Sequence, residues 1–468
     1  MARFALALVA IVSAYGALMF RLYDIQIVKG ERYLAQAEAR RINPELVKAA
    51  RGHIYFLDKG GNRLSAVLNK EFPTIYAVPN AIDDVAEVSH RLAEAISLPV
   101  PEIEKKLSKK NDTYELLLRK ADSGAADRIG DLKIGGVYVD FVPERFYPHG
   151  PLASHLLGFV APNDIDAGES GRYGVEEFYD EALSGTVNHD NETRTFTPQA
   201  GEEVVLTIDP NIQVEAERIL ADLVKQRNAK GGSVIVEDPA TGKILAMASY
   251  PNFDPNSYSQ YPISNFVNPV TQQIYEPGSI VKVLTMAAGV DSGAVTPQTT
   301  YVDKGTLTMN GRTIQNHDFK TKGPYGRVGM SAIIEHSINT GAVFVEREMG
   351  RDTFKNYMER FGLGEKTGIT LPGELKGDLR RLSPKERDIV FATASYGQGV
   401  AVTPLGMIRA VSAIANGGIM MRPYVDASMK PEVVRRVIGD EAARAVTQMM
   451  ISAVDKADVA KIGGYSLA

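Results

Sequence analysis

Ser279 and Lys282 are the two residues of this chain whose types and spacing most directly suggest chemistry. The Pro277-Gly278 pair before them predicts a turn, and the apolar run 280–288 after it predicts a buried helix. Ser279 is therefore expected in the first helical turn, where free backbone N–H groups and the helix dipole favour negative charge. Because residues three apart share a helical face, the Lys282 amine can reach the Ser279 hydroxyl. The pattern indicates a nucleophile beside a base.

A purely structural explanation competes with this one. A helix-capping serine followed by a lysine that extends its amine to solvent gives the same spacing. Lys282 weakens that explanation, because Val281, Val283 and Leu284 flank it and a buried lysine is costly unless it is paired or functional. The decision therefore depends on companion motifs.

Ser337 and Asn339 form the second constellation, in the only Ser-x-Asn tripeptide of the sequence. They separate two helical patterns, 331–335 and 342–349, and are expected in a short loop between helices. A hydroxyl and a carboxamide in such a loop can point the same way, one to pass protons and one to hold a substrate amide. An ordinary helix cap and turn is the alternative.

Composition excludes several classes of function. The 468 residues have room for two or three domains. A net charge of −5, from 52 basic and 57 acidic residues, is not the basic excess of a nucleic-acid-binding protein. The absence of cysteine excludes disulfides, thiol catalysis and cysteine zinc sites. The histidines lack H-E-x-x-H spacing, so we predict no metal and no cofactor.

The amino terminus predicts a membrane anchor over residues 1–24. Residues 4–20 are uncharged and lie between Arg3 and Arg21, and the run is at the short end for a spanning helix. A cleaved signal peptide is the alternative, but no clean cleavage site follows.

The remaining sequence predicts an α+β fold in two parts. Residues 25–202 resemble a spacer or docking module, with an amphipathic helix over 28–50, two helical patterns in 84–120 and short strands over 137–160. Residues 203–468 are expected to form an antiparallel sheet with helices packed on it. The expected elements are a strand at 204–208, a helix from 210 to about 225, a hairpin of 232–237 with 243–248, helices near 331–348, 352–361, 384–395 and 404–416, a strand at 419–424 and a helix at 439–454.

In chain order, these motifs resemble a class B penicillin-binding protein, a membrane-anchored peptidoglycan D,D-transpeptidase. The resemblance covers nearly the whole chain and implies an anchor, an α+β pedestal of the dimerisation type and a transpeptidase domain of the serine β-lactamase type. The segments that carry it are 21–26, 29–34, 51–54, 173–176, 183–185, 206–209, 238–247, 276–282, 337–339 and 396–399.

Both the residues and the resemblance point to acyl transfer. We expect Ser279 to attack a carbonyl, Lys282 to act as its base, Ser337 to relay a proton and Asn339 to hold Lys282 or a substrate amide. The resemblance implies D-Ala-D-Ala stem peptides as substrates and β-lactams as inhibitors. It also implies a cytoplasmic N-terminus, an extracytoplasmic catalytic domain and a polytopic glycosyltransferase partner from the division or elongation machinery.

The third motif of the family, Lys-Thr-Gly on an edge strand, is not where the resemblance requires it. Lys366-Thr367-Gly368 has the right residues but precedes 396–399, so we reject it as catalytic. Residues 462–468 resemble the start of the expected strand. We therefore expect these 468 residues to be poorly active or inactive as a truncated form, and their full-length parent to be a transpeptidase.

Three other readings fit less well. A non-catalytic penicillin-binding scaffold need not keep both motifs, and a β-lactam sensor would normally need more membrane spans. A β-lactamase would not need residues 28–200, and a bifunctional class A protein would need a glycosyltransferase segment between anchor and transpeptidase.

Overall fold

The computed structural model describes residues 2–30, 49–109, 112, 114–163, 168–190, 195–457, 462–465 and 467–468. A helix, Ala2–Tyr23, leads into a π-helical segment, Asp24–Val28. Within the described ranges, no helix combines the length and the apolar character that crossing a membrane requires. The anchor predicted over 1–24 stays a prediction. Most of the amphipathic helix predicted over 28–50 lies outside the described residues.

The N-terminal part is built around a five-stranded sheet. Its long strand, Arg63–Ala77, pairs antiparallel with Ile54–Leu57, Glu115–Leu118 and Val137–Phe146. Asp84 and Asp122 cap the helices that follow them, since each accepts a bond from a backbone N–H group of the first turn. The other elements are strands Phe159–Pro162, Glu169–Arg172, Thr186–Asp190 and Thr195–Gln199, and helices Val85–Ile96, Val100–Leu107, Ser123–Leu132, Ser154–Leu157, Gly174–Phe178 and Asp180–Ser184.

The two parts of the chain share a strand pairing and a core. Val204–Val205 runs parallel to Ile54–Leu57 and completes the five-stranded sheet. Ile54 and Phe56 are fully buried in one apolar cluster with side chains from the C-terminal part, including Ile244 and Leu405. The first strand of the N-terminal sheet and the C-terminal part therefore share one apolar core.

The predicted helix and hairpin after residue 203 are confirmed. Pro210–Arg227 is a helix capped by Asp209, and Gly232–Asp238 pairs antiparallel with Lys243–Tyr250. The remaining helices are Pro269–Gln272, Val281–Asp291, Phe319–Lys322, Met330–Glu335, Asn339–Met349, Arg351–Arg360, Asp388–Ala394, Pro404–Ala415 and Asp440–Lys456, and the remaining strands are Thr300–Asp303, Thr306–Met309, Arg312–Gln315, Gly326–Gly329, Ile419–Met421 and Val433–Arg436.

Three predicted elements are shorter in the structure, and the first is the strand predicted over 204–208, which is limited to Val204–Val205. The strand predicted to reach 424 ends at Met421, since Pro423 has no N–H to donate to a ladder. The helix predicted from 384 begins at Asp388, after Ser383 and Pro384. The helix Val281–Asp291 lies at the centre of the largest apolar cluster and is almost wholly buried. It is the rigid support for the candidate site.

Candidate active site

Ser279 lies in a tight turn that leads directly into the central buried helix. The turn Gly278–Ile280 is a 3-10 helix, and Val281–Asp291 continues it as an α-helix. Gly278 adopts φ +64°, which favours glycine. Ser279 is exposed although the helix behind it is buried. As predicted, Ser279 is at the start of a helix.

Lys282 joins the two predicted motifs. Its Nζ is 3.2 Å from Ser279 Oγ, 2.9 Å from Ser337 Oγ and 2.5 Å from the Ser337 carbonyl oxygen. The side chain is only 3% exposed, and this burial lowers the Lys282 pKa to about 7 because desolvation disfavours the charged amine. An amine with this pKa is partly unprotonated at neutral pH, as a general base must be.

Ser337 lies between the helices Met330–Glu335 and Asn339–Met349, as the sequence predicts. Its backbone is left-handed, with φ +52°. Both its hydroxyl and its carbonyl face Lys282. Asn339 differs from the expectation, because it is the first residue of the following helix rather than part of the loop. Its Nδ2 donates to the Gln315 carbonyl over 2.9 Å.

Lys366-Thr367-Gly368 is a structural turn. Thr367 is buried, and its backbone N–H and hydroxyl donate to Glu374 over 2.6 and 2.5 Å. The Gly368 N–H donates to the other carboxylate oxygen over 3.1 Å. These bonds give Thr367 and Gly368 a structural role in this turn. The expectation of a third motif beyond Ala468 stays a prediction.

Gly397 contacts the turn that presents Ser279. Its motif, 396–399, contributed to the resemblance, but the residue itself was not predicted to lie at the site. Its φ is +81°, and a Cβ on it would lie 2.1 Å from the Gly278 carbonyl oxygen. The Gly278 N–H donates to the Gly397 carbonyl over 3.1 Å, and the Gly399 N–H donates to Glu276 over 2.9 Å. The motif therefore packs its backbone against the turn that presents Ser279. The spacing of Gly397 and Gly399 was the signal in the sequence that could have identified this contact.

The acidic and histidine side chains of the described chain do not form any cluster of three or more that could hold a metal ion. The residues gathered at Lys282 are hydroxyls, a carbonyl and an amine. Such a set suits proton transfer and covalent catalysis by a serine.

Comparisons with known proteins show the family of the chain. The family described as penicillin binding protein transpeptidase domain matches residues 232–468, and the penicillin-binding protein dimerisation domain matches residues 46–203. Stage V sporulation protein D of Bacillus subtilis is 30% identical, over 94% of this chain and 70% of its own length. Peptidoglycan D,D-transpeptidase FtsI of Escherichia coli is 28% identical, over 96% of this chain and 77% of its own length.

A solved structure supports the fold. Penicillin Binding Protein 2X from Streptococcus thermophilus superposes with a TM-score of 0.68 at 24% identity, covering 87% of this chain and 66% of that one. The chain thus spans about two thirds to three quarters of the length of these relatives. The matched family ranges, the relatives and the Ser279–Lys282–Ser337 cluster lead to one conclusion: the chain belongs to the class B penicillin-binding proteins, the serine-type peptidoglycan D,D-transpeptidases.

Proposed function

We propose that Ser279 is the nucleophile of this transpeptidase and that Lys282 is its base. The observation that carries the proposal is the position of Lys282 Nζ, within hydrogen-bond distance of both Ser279 Oγ and Ser337 Oγ. A buried amine with a pKa near 7 can take the serine proton at neutral pH. The same amine can then return that proton.

In the first half-reaction, Ser279 Oγ attacks the carbonyl carbon between the two D-Ala residues of a stem peptide. The hydroxyl proton moves to Lys282 as the new C–O bond forms. The tetrahedral intermediate collapses when the C–N bond breaks, and the departing D-Ala amine receives the proton through Ser337. The Ser279 N–H, at the free start of the helix, is suited to stabilise the oxyanion.

In the second half-reaction, an amine of another stem peptide attacks the ester on Ser279. Its proton passes to Lys282, the C–O bond to Ser279 breaks, and the serine oxygen recovers a proton. The products are the cross-linked peptide and free enzyme. Asn339 is proposed to hold a substrate amide with its side-chain oxygen, since its Nδ2 already donates to Gln315. A β-lactam would acylate Ser279 by the first half-reaction alone.

Intact-mass measurement tests the function. Because these 468 residues are expected to be poorly active, we expect long incubation with benzylpenicillin to add the mass of one penicillin to the chain slowly, and peptide mapping to place it on Ser279. A chain that gains no mass at any incubation time would contradict acylation. A non-catalytic scaffold or sensor is not favoured, because the described cluster contains both the hydroxyl and the low-pKa amine.

We also propose that the chain divides into an anchor at 1–24, a pedestal at 25–202 and a transpeptidase domain at 203–468. The anchor is supported by the uncharged run 4–20 and by the exposure of Val12, Leu18 and Phe20. In this arrangement the amino terminus is cytoplasmic and the rest is extracytoplasmic, beside a polytopic glycosyltransferase that supplies uncross-linked glycan. These placements rest on the family resemblance.

Membrane fractionation tests the anchor. Large apolar side chains favour the bilayer over water, so we expect the intact chain to sediment with membranes and to resist alkaline carbonate. A variant that lacks residues 1–24 should move to the supernatant. An intact chain found wholly in the supernatant would contradict the anchor.

A further inference from the structure

Asp303 carries a buried carboxylate that the proposed acyl transfer does not use. It ends the strand Thr300–Asp303 and is only 2% exposed. Its Oδ1 accepts from Gly305 N over 3.1 Å and from Thr340 Oγ1 over 2.5 Å, and its Oδ2 accepts from Tyr325 N over 2.8 Å. Asn316 Nδ2 donates to both oxygens, over 3.1 and 3.2 Å. A buried carboxylate is tolerated when donors surround it in this way.

These donors come from the segments that hold the Ser337–Asn339 loop. Thr340 follows Asn339 directly, and its backbone N–H donates to Asn316 Oδ1 over 3.1 Å. Asn316 follows Gln315, whose carbonyl receives the Asn339 amide. Asp303 therefore fixes the carboxyl side of the loop through two neighbouring chain segments.

The amino side of the loop is held through Tyr325. The Tyr325 ring stacks on the His336 ring, with centroids 4.9 Å apart and planes inclined by 19°. His336 precedes Ser337, and the Tyr325 N–H donates to Asp303. One carboxylate thus orders contacts on both sides of Ser337.

Ser337 needs such support because of its backbone. A left-handed φ of +52° is unfavourable for a residue with a Cβ, and such conformations persist only where the surroundings impose them. In this conformation both polar groups of Ser337 face Lys282. A loop that relaxed would lose the hydroxyl through which the proton is proposed to pass.

We propose that Asp303 is a positioning residue that imposes the active conformation of the Ser337–Asn339 loop. It acts through Thr340, Asn316 and Tyr325 and does not touch the reacting atoms. The catalytic consequence rests on the proposed function, whereas the effect on the loop does not. Two measurements separate them.

Hydrogen exchange tests the effect on the loop. In Asp303→Ala we expect the Ser337 and Thr340 amides to exchange at least about tenfold faster, since loss of a few hydrogen bonds opens a segment locally. Glu374→Ala is the matched control, because Glu374 is also a buried carboxylate that accepts backbone N–H and hydroxyl bonds, from Thr367 and Gly368. It should lower the Tm without changing exchange over 336–340. Unchanged exchange in Asp303→Ala, or an equal increase in Glu374→Ala, would overturn the proposal.

Acylation kinetics test the catalytic consequence. A fluorescent penicillin reports a rate constant and a labelled fraction, and we expect Asp303→Ala to slow the rate constant about tenfold at an unchanged final fraction. A merely destabilised protein would show the reverse, a smaller fraction at the native rate constant, and this would overturn the catalytic part. The double variant Asp303→Asn with Asn316→Asp should label faster than Asp303→Ala and more slowly than the native chain. It keeps one carboxylate in the cluster, at position 316, to which Thr340 already donates. If the native chain takes no label, the acylation proposal fails, while hydrogen exchange still decides the role of Asp303.

Discussion

Ser279→Ala is expected to abolish covalent labelling of the chain by a fluorescent penicillin. Removal of a serine nucleophile from a comparable catalytic cluster costs about six orders of magnitude in rate, which places any residual reaction below detection. Because Ser279 is exposed and its hydroxyl makes one bond to Lys282, the substitution should change the free energy of unfolding by about 1 kcal/mol at most. Gel fluorescence over a time course, with the Tm measured on the same samples, gives both quantities.

The matched control for this substitution is Ser292→Ala. Ser292 lies just after the other end of the same helix, where its hydroxyl donates to the Gly289 carbonyl over 3.2 Å. Its removal should leave the labelling rate as in the native chain. A Ser279→Ala chain that still takes up label, with the adduct mapped to another residue, would show that the nucleophile is elsewhere.

Lys282→Met is expected to slow acylation of Ser279 by about two to four orders of magnitude, the usual contribution of a general base. The native rate should rise with pH through about 7, because the unprotonated amine is the active form. In the methionine variant this dependence should disappear. Acylation rate constants across a pH series check both effects, with Lys320→Met as the control at an exposed lysine. A methionine variant that keeps the native rate and pH profile would contradict the assignment of the base.

The same pKa has a consequence for stability. The Lys282 pKa is about 7 in the folded chain and 10.5 by its ordinary value, so between these values the unfolded chain binds more protons. The contribution of Lys282 to stability therefore rises with pH from about 7 to about 10.5 and is most unfavourable below 7. Lys282→Met should therefore gain the most stability relative to the native chain at pH 7 and below. Urea unfolding of both chains across this range should show the two midpoints converging as pH increases.

How much of the site could be predicted depends on how local each contact is. Ser279 and Lys282 are three apart, so helical periodicity alone places amine and hydroxyl together. The contact between Lys282 and Ser337 spans 55 positions, and no local pattern encodes such a distance. Only the resemblance to a family brought Ser337 and Asn339 to the same site. The left-handed backbone of Ser337 could not be predicted either, because a serine in the sequence does not indicate a positive φ.

The features of the site that the sequence did not reveal are mainly its buried polar residues. Asp303-Lys304-Gly305 has the composition of an exposed turn, so nothing in the sequence marks Asp303 as a buried acceptor. In contrast, the helix start at residue 210 was predicted, because the signals that begin a helix are local, and Asp209 caps this helix in the structure. Lys366-Thr367-Gly368 illustrates the opposite error, in which a match to a motif is taken for a functional site. Its residues match a catalytic tripeptide, and chain order together with the bonds to Glu374 identifies it as a turn.

The parallel pairing of Val204–Val205 with Ile54–Leu57 has a consequence for how the protein comes apart. Ile54 and Phe56 share a buried cluster with Ile244 and Leu405. Removal of the strand Ile54–Leu57 would therefore expose apolar side chains of the C-terminal part to water. The proposed boundary near residue 203 therefore crosses a shared apolar core. Leu405 lies in the helix Pro404–Ala415, whose Ala410 belongs to the apolar cluster of Val281–Asp291. A displacement of Ile54–Leu57 therefore has a packed path through that helix to the helix behind Ser279.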